Sequence, residues 1–81
     1  MLTKEEARNR LAINVRRVRQ RLGLTQMDLA RVSGVPQAAI SRLERAEGLL
    51  NSADLHNIAE ALETSMDALH REAPERVPAE F

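Results

Sequence analysis

The sequence predicts an all-α domain, a compact bundle of five short helices, and three observations carry that expectation. Apolar residues recur at steps of three and four along separate segments, the spacing of one helical face. Glycines and capping residues fall between those segments, where helices stop and start. Runs of alternating apolar and polar residues, which a half-buried strand needs, are missing, as are internal repeats and low-complexity segments.

The first helix is expected from Glu5 to Leu22, where Leu11, Val15, Val18 and Leu22 share a face and arginines fill the positions between. Gly23 ends it. The run LTQMDLA then holds a strong start signal. Thr25 is placed as an N-cap with Asp28 three residues on, as in a capping box, and Leu24 and Leu29 are spaced for a hydrophobic staple. The second helix is short because Gly34 supplies the left-handed residue that closes it. A third helix is predicted over residues 36 to 46. After a loop marked by Gly48, Asn51 and Ser52, the residues Leu55, Ile58, Ala59 and Leu62 make a fourth amphipathic helix. Ser65 caps a short fifth, with Met66 and Leu69 inward. The predicted core is Leu11, Val15, Val18, Leu22, Leu29, Ala30, Ile40, Leu43, Leu55, Ile58 and Leu62. One domain is therefore expected at residues 1–72. The tail at residues 73–81, APERVPAEF, carries two prolines and several charges and reads as a flexible or partner-dependent segment.

A chain of 81 residues makes one small domain. At this size only about 60% of the unfolded surface is buried, too little for two cores or a deep catalytic cleft. The absence of cysteine excludes disulfides and thiolate metal sites. No apolar run nears the roughly 20 residues of a membrane span, and MLTKEEARNR has no apolar stretch to act as a secretory signal. A cytoplasmic location is expected. Phe81 is the one aromatic residue, which argues against binding single strands by stacking bases on aromatic platforms. Duplex binding needs no such platform. The net charge of zero hides a split: residues 1 to 45 hold ten basic residues against four acids, and residues 46 to 81 hold two against eight. The halves thus balance at +6 and −6, so one side can face phosphates while the other faces away.

Two short helices joined by a glycine-containing turn form a helix-turn-helix, here at about residues 25–46, whose second helix enters the major groove. The run QMDLARVSGVPQAAISRLE places Ala30, Gly34, Ile40 and Leu43 at intervals that resemble the Xre-type, or lambda repressor and Cro-like, family. The resemblance covers about residues 8 to 70, through LTQMDLA, GVPQAAISRLE and IAEALETSMDAL. It implies the lambda-repressor-like fold, double-stranded DNA as partner, and Pro36, Gln37, Ala38, Ser41 and Arg42 as base-reading positions. It also implies that Gln26 contacts a phosphate and that Arg19 pairs with Glu44 while lying near phosphate itself. Arg16, Arg17 and Arg45 are the other expected phosphate contacts.

Helical geometry is consistent with that reading. At about 100° per residue, Gln37, Ala38, Ser41, Arg42 and Arg45 fall within an arc of about 140°, and Ala39, Ile40, Leu43 and Glu44 lie on the other side. Gln37 suits adenine, Arg42 suits guanine, and Ala38 suits a thymine methyl group. Two features depart from the family pattern. Position 36 usually carries a capping hydroxyl, whereas Pro36 offers only a preset φ. The loop AEGLLN carries Glu47 and no basic residue, and Leu49 and Leu50 sit there instead. In the family this region and the fifth helix lie near the dimer seam, which implies Leu49, Leu50, Met66 and Leu69 as dimer contacts. Burial of the loop leucines in the protomer's own core is the alternative.

His56 and Glu60 are four apart on a helix, but a third metal ligand at helical spacing is missing, and exposed histidines are the ordinary reading. The sequence shows no phosphate-cradling glycine loop, and Ser41 has no base beside it. No enzyme, metal or cofactor is expected. The expected function is a sequence-specific transcriptional regulator that binds a near-palindromic operator as a homodimer, of the phage or plasmid repressor or restriction-modification controller type. Because no ligand or protease domain follows the fold, its control is expected to come from concentration, cooperativity or a partner protein. The alternative is an antitoxin or other interaction module whose acidic C-terminal half binds a partner such as a toxin or a polymerase subunit.

Overall fold

The computed structural model describes residues 2–48 and 50–71, except for the side chains of Met66 and Asp67. Leu49 and the C-terminal tail lie outside the described residues. Five helices follow one another: α1 (Lys4–Arg21), α2 (Gln26–Ser33), α3 (Gln37–Glu44), α4 (Ser52–Ala61) and α5 (Met66–His70). The described residues contain no strand.

Four of the five helices start at a side-chain cap. In α2 the Thr25 hydroxyl accepts from Asp28 N–H and the Asp28 carboxylate accepts from Thr25 N–H, each at 3.0 Å, forming a reciprocal capping box. A second box, Thr3 with Glu6, starts α1 one residue before the expected position. The TKEE run carries its signal, a threonine followed three residues later by glutamate. Asn51 caps α4 through Asp54 N–H at 2.8 Å, and Ser65 caps α5 through Ala68 N–H at 3.0 Å. The exception is α3, whose N-cap Pro36 offers no side-chain bond.

Helix ends are equally regular. After α1, α3 and α4 comes a left-handed residue, respectively Gly23, Ala46 and Glu63. The N–H of the following residue returns to a carbonyl in the last turn: Leu24 to Arg19 at 3.0 Å, Glu47 to Arg42 at 2.9 Å and Thr64 to Ala59 at 2.9 Å. These are Schellman closures. Gly34 closes α2 at φ +76°, and its N–H reaches the Ala30 carbonyl at 2.9 Å.

The core is built from Leu11, Val15, Leu29, Val35, Ile40, Leu43, Leu55, Ile58, Ala59, Leu62 and Leu69, each side chain of this size contributing about 1.5–3 kcal/mol when fully buried. Val18, Leu24 and Ala30 are half-buried against it. Beyond the half-buried Val18 and Ala30, four positions differ from the expected core, with Ala59 of α4 among those that join it. Leu22 is 41% exposed, because it is the C-cap and the helical period no longer aims it inward. Val35, in the turn between α2 and α3, is buried although no periodic pattern marks it. Leu69 joins from α5. The principal packing partners of α3 are α1 and α2; α5 sits against α1 and α4, and α4 against α2. Two sides of α3 are therefore supported by the bundle while its remaining face stays open.

Asn14 is, with Glu44, one of two buried polar side chains among the described residues. Its side-chain amide donates to the Leu69 carbonyl at 2.7 Å and the Arg71 carbonyl at 2.8 Å, and its oxygen accepts from Arg17 at 3.1 Å. One amide thereby ties α1 to the end of α5 and satisfies carbonyls that a helix C-terminus leaves unpaired.

Candidate nucleic-acid interface

Two faces of α3 are chemically distinct. Ile40 and Leu43 are 0% and 2% exposed and anchor the helix in the core. Pro36, Gln37, Ala38, Arg42 and Arg45 are exposed, and Ser41 is half-buried between them. The five positions expected to read bases thus lie along one open strip with Arg45. Gly34, the left-handed residue of the turn, sets the angle at which that strip is presented. A Cβ there would meet nothing within 4 Å, so its requirement for glycine comes from φ alone.

The end of α3 is tied to its neighbours by Glu44, which is 3% exposed at the last turn of the helix. Its carboxylate accepts from Arg19 Nε at 2.7 Å and Arg19 Nη2 at 2.9 Å, a bidentate pair between α1 and α3. Gln26 Nε2 adds a third donor at 3.1 Å. Arg16 donates to the Glu44 backbone carbonyl at 2.8 Å and Arg19 to the Leu24 carbonyl at 2.7 Å. A negative side chain at a helix C-terminus is disfavoured by the dipole, and the two arginines offset it. The Gln26 oxygen in turn lies 3.5 Å from Gln37 Nε2. Glu44, Gln26 and Gln37 therefore form a chain of hydrogen bonds from the buried ion pair to the open strip.

The expected phosphate contacts separate into groups. Arg19 is 11% exposed at its side chain, and each of its three guanidinium nitrogens donates within the protein, two to Glu44 and one to the Leu24 carbonyl. Arg16 is 52% exposed and keeps an open edge beside α3. Gln26 is half-buried at the first turn of α2, its amide turned to Glu44. Arg17 is not part of this cluster. It bonds Asn14 on the α5 side, and its Nε and Nη1 atoms are buried with no partner among the described residues. Arg45 lies on the strip, with Nε and Nη2 at 2.8 and 3.1 Å from Glu47 and Nη1 donating to the Ser41 hydroxyl. Through these hydrogen bonds Arg45 holds the Glu47 carboxyl below its ordinary range. Arg42 is exposed, with no side-chain hydrogen bond to the other described residues. Beside Gln37, a shallow groove is lined by Met27, Ala30 and Arg31.

The expected dimer contacts fare differently. Leu69 is 1% exposed and belongs to the protomer's own core, so it offers no surface to a second copy. Leu50 is half-buried and packs against the same core, the alternative weighed for the loop leucines. Leu49 and the Met66 side chain fall outside the described residues. His56 Nε2 lies 3.3 Å from Glu60 Oε1 in an exposed pair, and the described residues hold no group of three potential metal ligands. No described helix is long and apolar enough to cross a membrane.

Sequence reasoning missed Asn14 and the Arg45–Glu47 pair. Asn14 had a signal, since it occupies the core register of α1 between Leu11 and Val18. The pair had none, because a left-handed alanine creates it.

Residues 15–69 match the helix-turn-helix family HTH_3. Among solved structures the chain is similar to an HTH_3 family transcriptional regulator from Vibrio cholerae, at 30% identity with a TM-score of 0.77. That match covers 83% of this chain but only 38% of the Vibrio protein. A hypothetical transcription factor, NHTF, from Neisseria is 26% identical with a TM-score of 0.79, covering 89% of this chain and 83% of that one. No curated protein matches the chain.

Proposed function

The chain belongs to the HTH_3 helix-turn-helix family, the Xre or lambda-repressor-like group, and from that premise we propose that it is a sequence-specific DNA-binding transcriptional regulator. The single observation that supports this reading best is the two-sided α3. Its apolar side is locked into the bundle by Ile40, Leu43 and the Arg19–Glu44 pair, and its other side offers Gln37, Ala38, Ser41 and Arg42 together. A helix held this rigidly loses little freedom on docking, so its donors reach base edges in fixed register. Gln37 and Arg42 supply the bidentate donors, and Ala38 the contact for a thymine methyl. Arg16 and Arg45 face the flanking phosphates.

One such helix reads a single major-groove face, and a homodimer would place two of them about 34 Å apart on a near-palindromic operator. The +6 balance of residues 1 to 45, which carry the reading strip and its supporting arginines, agrees with approach to a polyanion.

A gel shift against genomic fragments, followed by salt titration of the retained duplex, tests the reading. Retention of a discrete fragment with affinity falling steeply with salt is expected. Failure to retain any fragment, or affinity indifferent to salt, would overturn it. Sedimentation of the complex then gives the number of chains per operator, two being expected.

A further inference from the structure

Arg45 is the most C-terminal cation of the reading strip, and in the free protein it is already occupied. Ala46 adopts the left-handed conformation at φ +58°, which an L-residue with a Cβ enters only at a cost. That turn reverses the chain at the end of α3. The Glu47 N–H closes onto the Arg42 carbonyl at 2.9 Å, and the Glu47 carboxylate is brought back along the helix. There it takes two guanidinium nitrogens of Arg45, at 2.8 and 3.1 Å, while the third donates to Ser41. A carboxylate that accepts two parallel N–H bonds presents the same fork that a phosphate would offer. Arg45 and Glu47 are each about half exposed, so the pair sits at the surface where a DNA backbone would approach.

We propose that Glu47 is an intramolecular phosphate surrogate that masks Arg45, so that DNA must displace this carboxylate before Arg45 contacts the backbone. The inference rests on the DNA-binding reading above and deepens it by naming a residue that limits affinity without reading sequence. Because phosphate contacts carry no base information, the mask lowers binding to every duplex by the same factor. Arg45 Nη1 also donates to the Ser41 hydroxyl, so movement of Arg45 to a phosphate releases the Ser41 oxygen for a base edge.

The test is a double-mutant cycle on DNA. Glu47→Gln keeps the shape of the side chain and removes its charge, and both operator and random duplex should bind about two- to fivefold more tightly, the range for loss of an exposed ion pair. The salt slope should stay close to that of wild type, because Arg45 makes the same phosphate contact in both complexes once the carboxylate is displaced. In the Arg45→Ala background the same substitution should change nothing, because there is no cation left to release. A gain that persists in that background would show Glu47 acting by plain repulsion, and unchanged affinity of Glu47→Gln alone would show no mask at all; either result overturns the proposal. If wild type and Glu47→Gln both bind no duplex at any salt concentration, the DNA-binding reading itself falls, and the mask with it.

Discussion

Arg19 and Glu44 are the residues on which the position of α3 depends. The Glu44 carboxylate is shielded from water and meets three donors, so truncating it leaves the Arg19 guanidinium, 11% exposed, without its counter-charge. Glu44→Ala is expected to cost about 3–5 kcal/mol, the range for breaking one side of a buried pair, measured as a lower denaturation midpoint. A midpoint close to that of wild type would mean that the pair is replaceable by water. Asn14 is the second such residue. Asn14→Ala strips the Leu69 and Arg71 carbonyls of their donor and is expected to lose about 2–3 kcal/mol. Arg42 belongs to a different class, since its side chain is exposed and packs on nothing that folding needs. Arg42→Ala should leave stability unchanged and weaken operator binding by about 1–3 kcal/mol, with preference relaxed at one base pair. Competition with single-base variants of the operator checks this, and uniform weakening across all variants would assign Arg42 to the backbone.

Among the elements, the helix ends show how much of this fold is local. Thr3, Thr25, Asn51 and Ser65 cap by hydrogen bonds that reach three residues along the chain, so such signals are local. Thr25 and Ser65 read as caps in the sequence, whereas Asn51 reads there only as a loop residue and the Thr3 box goes unread. The left-handed closures differ in kind. Gly23 and Gly34 carry a residue that tolerates positive φ, whereas Ala46 and Glu63 reach φ +58° despite a Cβ. Nothing in their identity marks them. The conformation is imposed by where α3 and α4 must stop so that the chain can re-enter the bundle. Ala46→Gly and Glu63→Gly should therefore each stabilise the domain by about 1 kcal/mol, a rise in Tm of about 4–8 °C at this size. Gly34→Ala should lower it by a similar amount through φ alone, since its Cβ would have open space. If Ala46→Gly lowered Tm instead, the loss of chain stiffness in the unfolded state would outweigh the relieved φ.

For the whole molecule, charge and pH act through the same carboxylates that cap and mask. The backbone and side chain of Thr3 hold Glu6 below its ordinary value of 4.5, those of Thr25 hold Asp28 below 3.8, and Arg45 holds Glu47 below 4.5. Folding therefore favours their ionised forms. Their contribution is full above the ordinary carboxylate range and is lost as pH falls through the lowered values, because the unfolded chain then binds more protons. Tm should decline from about pH 4.5 downward, and a Tm that rose on acidification would contradict these assignments. Helix order, caps and most of the core were legible in the sequence because each rests on neighbours within a turn or two, and α3 showed its two faces by periodicity alone. The sequence by itself determined five helices, the helix-turn-helix and the identity of the open strip. Only the tertiary structure decided which cations that strip keeps. The Arg19–Glu44 pair was already implied by the family resemblance, but Arg17 bonds Asn14 and Arg45 pairs with Glu47 on the open strip, and such partners depend on distances in space that residue spacing does not encode. For the same reason Val35 entered the core and Leu22 left it: burial follows from what packs opposite a side chain, and helical phase predicts only the side from which it comes.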